Sequence, residues 1–230
     1  MRNLLILFIQ LSFSFALSQQ GLQSLGGNAQ LALIDFANKR TSPLPPLNIQ
    51  GSQYFEIEFF KAELEYFGRK IDDGGYMRYN AFTDEIEMAD TPYQNNSDLI
   101  LIKSRDVIPT INGDRYEYLP YRVDETTKIG YLIKIFENSK YILYSNKIKK
   151  FMEAKIARTS LENSFPPRYV DDSKLFISIS GDTPFAIKNS KKSILKLFNN
   201  SSGLKKFIKS EKIKFNNPKS LVRILNFIDN

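Results

Sequence analysis

The run Asp84-Glu85-Ile86-Glu87 holds the residues whose types and spacing come nearest to a reaction. Two carboxylates ~5 to 9 Å apart can do acid–base or nucleophilic work on a glycosidic bond. In an extended segment, successive side chains point to opposite faces. Asp84 and Glu85 are then separated, while Glu85 and Glu87 share the face opposite Ile86 and Met88, which reads as a solvated face. Asp72-Asp73-Gly74-Gly75 gathers two more acids. A calcium loop needs further oxygen ligands at fixed offsets, ending in a bidentate acid, and Tyr76, Met77 and Tyr79 do not supply them. That stretch reads as a tight turn. Ser52 follows a glycine without the rest of a nucleophile elbow, and no glycine-rich phosphate loop is present.

Two absences narrow the chemistry. The 230 residues include no His and no Cys. Without His there is no imidazole base, no Ser-His or Cys-His pair and no usual zinc or copper ligand. Without Cys there is no disulfide, no thiolate and no lipid-bearing cysteine. The expected sets of catalytic, cofactor-binding and metal-binding residues are therefore empty, and the expected cofactor is none. An enzyme built from this chain would have to work with carboxylates, Lys, Tyr or Ser alone, and the enzymatic alternative is a carboxylate-dependent hydrolase.

The charges suggest recognition instead. The net charge is +7, yet residues 51 to 137 carry 10 Lys and Arg against 17 Asp and Glu, and residues 174 to 230 carry 12 against 3. Such a split fits two lobes that attract one another, or a basic surface that meets an anionic partner. The cations Lys191, Lys192, Lys196, Lys205, Lys206, Lys209, Lys219 and Arg223 fall largely off the apolar stripes of their segments. Lys219 and Arg223 are one helical turn apart and share a face. This surface would suit an anionic envelope component such as anionic lipid headgroups or lipopolysaccharide phosphates, or an acidic protein such as another envelope protein. Nucleic acid is disfavoured, because no aromatic residues interleave with the cations as a strand-binding groove requires.

A compartment is implied by the first residues. Arg2 precedes an apolar run from Leu4 to Ala16, and Ala16-Leu17-Ser18 offers the small residues a signal peptidase requires. Cleavage between Ser18 and Gln19 is expected. No later segment approaches the ~20 apolar residues of a membrane-spanning helix. A cysteine-free exported chain fits a bacterial periplasm or exterior better than a disulfide-rich secretory route.

The elements that must position these groups follow from periodicity. Residues 19 to 50 read as a flexible segment with a short helix over Ala29 to Asn38 and a connector from Thr41 to Pro46 with three prolines. Strand alternation begins at Lys61 and recurs to Ile148. Asn112-Gly113, between Ile108-Pro109-Thr110-Ile111 and Arg115-Tyr116-Glu117-Tyr118, predicts a type I′ hairpin. Gly130 to Phe136 pairs with Tyr141 to Ile148, and Lys174 to Ile179 with Phe185 to Lys188 across Gly181-Asp182. Residues 149 to 173, with Phe165-Pro166-Pro167, read as a crossing or linker segment.

After Asn189 the period becomes helical. Ile194, Leu195 and Phe198 share a face, Leu204, Phe207 and Ile208 share another, and Ser201-Ser202-Gly203 reads as the breaker between them. Leu221, Ile224, Leu225 and Ile228 form a third stripe behind an Asn217 cap and Pro218. Helices this short do not persist alone, so they must pack on one another or on the sheet.

The order of signal, proline connector, Arg78-Tyr79-Asn80 leading into Asp84-Glu85-Ile86-Glu87, and lysine-rich helices resembles a group of exported bacterial proteins with no assigned function. The resemblance spans about residues 50 to 230, and implies architecture and compartment but no site.

The expected fold is α+β: an antiparallel meander of eight to ten strands, or a partly open barrel, over residues 51–189, with a helical cluster over 190–230 packed on it. The expected role is a non-enzymatic binding or structural module at the envelope. The alternatives are a carrier sheltering an apolar ligand or lipid between sheet and helices, and the hydrolase above. Residues 1–18 should be absent from exported protein. N-terminal sequencing that begins at Gln19 is the expected result, and retention of Met1 on membrane-extracted protein would contradict it.

Overall fold

Two-residue turns join three of the hairpins in the sheet, at residues 67–68, 112–113 and 124–125. A computed structural model describes residues 37–39, 49–71, 74–159, 161–215 and 217–229. The expected signal segment with its cleavage site at Ser18 and Gln19, the expected proline connector and Asp72-Asp73 lie outside the described residues. The strands are β1 (Ala37–Lys39), β2 (Phe60–Tyr66), β3 (Arg69–Ile71), β4 (Tyr76–Asn80), β5 (Glu85–Ala89), β6 (Leu99–Leu101) and β7 (Val107–Ile111). They continue with β8 (Asp114–Val123), β9 (Thr126–Glu137), β10 (Tyr141–Asn146), β11 (Lys149–Met152), β12 (Arg168–Asp171), β13 (Lys174–Ile179) and β14 (Phe185–Ile187). Three helices close the chain: α1 (Lys191–Leu197), α2 (Ser202–Ser210) and α3 (Pro218–Asp229).

The class is α+β, but the sheet is larger than expected and is not strictly a meander. Twelve strands join in one sheet in the order β1-β6-β5-β4-β2-β7-β8-β14-β13-β10-β9, with β3 beside β2 and β8 also paired to β9. The last five strands therefore form a ring that partly closes into a barrel. Its seam is parallel and short: Phe185 pairs with Arg122, and the Arg122 N–H donates to the Pro184 carbonyl at 2.8 Å. Antiparallel steps alone cannot close a ring of five strands, so one parallel contact is required.

Turn chemistry explains which expectations hold. Asn112 and Gly113 both have positive φ, 49° and 82°, and join Ile111 to Asp114 in a two-residue hairpin as predicted. The turn expected at Asp72 to Gly75 is not a reversal. β3 and β4 both run antiparallel to β2, so the glycines interrupt what would otherwise be one strand. The reversal lies earlier, at Phe67 and Gly68, with φ of 46° and 73°. Phe67 disguised it, because a bulky residue seldom takes that conformation.

Two further segments differ from their sequence reading. Ala37 and Asn38 are not the end of a helix, since they pair with Leu101 and Ile100 at the sheet edge, where strand pairing satisfies the backbone. Residues 149 to 173 are not a plain linker: β11 and β12 form a two-stranded arm, with Lys149 opposite Asp171 and Met152 opposite Arg168.

Alternation along the barrel strands divides the core. On β10 and β13, Tyr144 and Phe176 turn inward to meet Tyr121 and Leu132. Their neighbours Tyr141, Leu143 and Ile177 turn outward and are covered by Ile194, Leu204, Ile208, Leu221, Ile224 and Leu225 of the helices. Strands buried on both faces read as nearly continuous apolar runs, as Tyr141-Ile142-Leu143-Tyr144 does. The break between α1 and α2 lies at Asn199 and Asn200, both left-handed at φ of 52° and 55°. Ser201 instead caps α2, accepting from the Leu204 N–H at 3.4 Å. Ser202 and Gly203 are already helical.

The helical cover should behave as core. Leu225 is 2% exposed, so Leu225→Ala should cost ~2 to 5 kcal/mol in urea denaturation. Lys219→Gln, on the exposed side of the same helix, should cost less than ~0.5 kcal/mol.

Candidate functional site

The acidic run that invited a catalytic reading serves two separate structural purposes. β4 and β5 place Arg78 opposite Glu87. Both are buried, with side chains 3% and 0% exposed, so the expectation that Glu87 lies on a solvated face is overturned. The Glu87 carboxylate accepts from Arg78 Nε at 2.8 Å, Tyr54 Oη at 2.8 Å and Asn80 Nδ2 at 3.0 Å. Arg78 Nη1 donates to the Ile57 carbonyl at 2.7 Å, and Nη2 to the Asn95 carbonyl at 3.1 Å and Tyr54 Oη at 2.9 Å. The rings of Tyr54 and Phe59 lie 4.0 and 4.2 Å from the guanidinium carbon, an arrangement that adds cation–π attraction. The cause of the burial is the irregular segment around residues 50 to 59, which covers this face together with the loop at Asn95.

Asp84 belongs to the other face. Its φ is 55°, and the half-buried carboxylate accepts from Tyr79 Oη at 2.7 Å and from the Tyr131 N–H at 3.2 Å. Tyr116 and Tyr118 complete an aromatic surround, with ring centroids 5.1 Å from Tyr79 and 5.2 Å from Tyr131 respectively. Gly130 is needed beside it, because an added Cβ would lie 2.5 Å from Asp84 Oδ2. Burial raises the Asp84 carboxyl from 3.8 to about 6, outweighing the Tyr79 hydrogen bond that lowers it. Asp84 and Glu87 thus sit on opposite sides of the sheet, and the acid pair that glycoside hydrolysis needs is not assembled there.

The predicted cations all lie on the three helices of the cap. Lys191, Lys192, Lys196, Lys205, Lys206, Lys209, Lys219 and Arg223 are all exposed. Arg223 pairs with Glu211, and the seven lysines take part in none of the ion pairs among the described residues. No described ion pair joins an acid of residues 51 to 137 to a cation of the helices. The acids pair nearer home: Glu65 and Glu117 with Arg115, Glu117 also with Lys134, and Asp114 with Lys147. Mutual attraction of two lobes is therefore not what occupies the lysines.

A cleft of about 500 Å³ opens between the cap and the β9–β10 turn. Tyr141, Phe198, Leu204, Phe227 and Ile228 supply apolar walls, and Lys140 stands at its edge. The α3 end is fixed to that turn, since Ser139 Oγ donates to the Asp229 carboxylate at 2.9 Å. Sequence reasoning found the stripes but not this cleft, whose walls come from residues up to about 90 positions apart that nothing local connects.

No family model matches the chain, and no curated protein or solved structure matches it. Among the described residues there is no cluster of three or more potential metal ligands, and no helix is long and apolar enough to cross a membrane.

The raised Asp84 carboxyl has a signed consequence. Its folded value exceeds the unfolded one, so the native state holds that proton more tightly, and stability falls as pH rises from 3.8 to about 6. The melting temperature of the native protein, minus that of Asp84→Asn, should decrease from pH 4 to about pH 6 and then level off. A flat difference would show that burial does not govern this carboxyl.

Proposed function

We propose that this chain is a non-enzymatic binding module, exported to a bacterial envelope or exterior, whose C-terminal helical cap docks onto an anionic surface. The observation that carries the reading is the charge of the cap: residues 190 to 230 hold 10 Lys and Arg against Glu211 and Asp229. Burying the apolar stripes of three short helices against the barrel leaves an outer face of lysines, and the acidic part of the protein does not neutralise them. A lysine near an anionic bilayer contributes about 1 kcal/mol, so several acting together can hold a protein there without any inserted segment. A hydrolase has weaker support, because Asp84 and Glu87 do not share a cleft. Export rests on Arg2, the apolar run and Ala16-Leu17-Ser18.

The test is sedimentation with vesicles. Phosphatidylglycerol vesicles should retain the protein and phosphatidylcholine vesicles should not, with retention falling as salt rises. The triple change Lys205→Glu, Lys206→Glu, Lys209→Glu should weaken retention roughly a hundredfold or more, at about 1 kcal/mol for each lysine lost. Retention that is indifferent to lipid charge and to this variant would overturn the reading.

A further inference from the structure

The helices that carry the basic cap also wall the cleft at the β9–β10 turn, and the two features together point to a narrower ligand class than an anionic surface. We propose that the cleft takes the hydrocarbon chain of an anionic single-chain amphiphile, with the charged head at Lys140. This rests on the anionic-partner reading and adds where the apolar part of that partner goes.

Three observations support the assignment. The volume of about 500 Å³ falls within the range of about 300–1,000 Å³ typical of small-molecule sites. The lining mixes the polar groups of Lys140, Asn199 and Ser201 with apolar side chains from one strand end and all three helices, and one of the apolar groups is left uncovered: Phe227 is 40% exposed while its ring stacks on Phe207 at 4.1 Å. Finally, Lys140 is exposed at the edge of the cleft and takes part in none of the described ion pairs. Its ammonium lies 5.6 Å from the ring of Tyr141, a wall residue. A chain with an anionic head satisfies both parts at once. A neutral hydrocarbon leaves the cation unused, and a small anion leaves the exposed ring of Phe227 wet.

Gly203 gives a clean way to close the cleft. It lines the space, and an added Cβ would meet only Ser201 Oγ, at 3.7 Å. Leucine is the better helix former, so Gly203→Leu should fill the cleft without unfolding α2, which a thermal melt verifies. The experiment is calorimetric titration of the full chain with myristate below its micellar concentration, with tetradecyltrimethylammonium as the cationic control.

Saturable one-to-one binding of myristate is expected, with the cationic control at least ~10-fold weaker, as opposite charge at a partly shielded site dictates. Gly203→Leu should weaken myristate at least ~10-fold through loss of buried apolar area, and leave retention on phosphatidylglycerol vesicles unchanged. Lys140→Ala should weaken myristate and spare the control. Absence of saturable binding, equal affinity for the control, or indifference to Gly203→Leu each overturns the proposal. So does a dimer in sedimentation that Gly203→Leu dissociates, since a second copy would then be the occupant. Loss of vesicle retention in the Lys205, Lys206, Lys209 variant without myristate binding leaves the surface reading standing and removes the cleft. Myristate binding that depends on Gly203, with no charge-dependent vesicle retention, does the reverse.

Discussion

The buried pair of Arg78 and Glu87 is the constraint around which the first half of the molecule is arranged. Removing two opposite charges from water costs several kcal/mol per ion, and their attraction offsets this only when the remaining donors and acceptors are satisfied. Here only Asn80 Nδ2 comes from the two strands, and the other satisfying groups come from outside them: Tyr54 Oη, the carbonyls of Ile57 and Asn95, and the rings of Tyr54 and Phe59. The pair is therefore tolerable only with the segment around residues 50 to 59 in place. Other contacts hold that segment, including the Ala81 N–H to the Gln53 carbonyl at 3.0 Å and Lys147 to Glu56 at 3.4 Å. Loss of either charge would leave the other buried alone, a change worth ~3 to 5 kcal/mol.

A second arrangement follows from the two long strands that the sheet and the barrel share. β9 sends Tyr131 and Ile133 into the core of the first part and Leu132 into the barrel. β8 does likewise with Tyr116 on one side and Tyr121 on the other. Each strand thus serves two cores through ordinary alternation. Asp84 lies where these layers meet, held by Tyr79 and by the Tyr131 backbone. An acid half-buried among tyrosines costs stability at neutral pH, but it fixes the β4–β5 turn against β9, where Gly130 leaves it room.

The helical cap extends the same logic outward. The barrel strands β10 and β13 have an outer face of Tyr141, Leu143 and Ile177 that must be covered. Three short helices cover it, none long enough to be stable alone. Their outer sides carry lysine where nothing apolar is needed, and at the β9–β10 turn the cover is incomplete, which leaves the cleft. The charged face and the cleft are thus consequences of one packing solution.

What the sequence by itself determined is whatever depends on neighbours in the chain. Asn112-Gly113 specified its turn because few other pairs accept two positive φ values, and the spacing of Leu221, Ile224, Leu225 and Ile228 specified a helix with one buried side. The absence of His and Cys bounded the chemistry before any fold was considered. Only the tertiary structure decided the rest. Glu85-Ile86-Glu87 reads as a strand with a wet face, and that reading fails because residues some 30 positions earlier fold over it and bring Tyr54 to Glu87. Likewise nothing near Phe185 announces that it will close the barrel on Arg122, and nothing near Lys140 announces the phenylalanines of two distant helices. Alternation states that a side chain faces one side or the other, but what lies on that side is fixed by contacts between segments far apart in the chain.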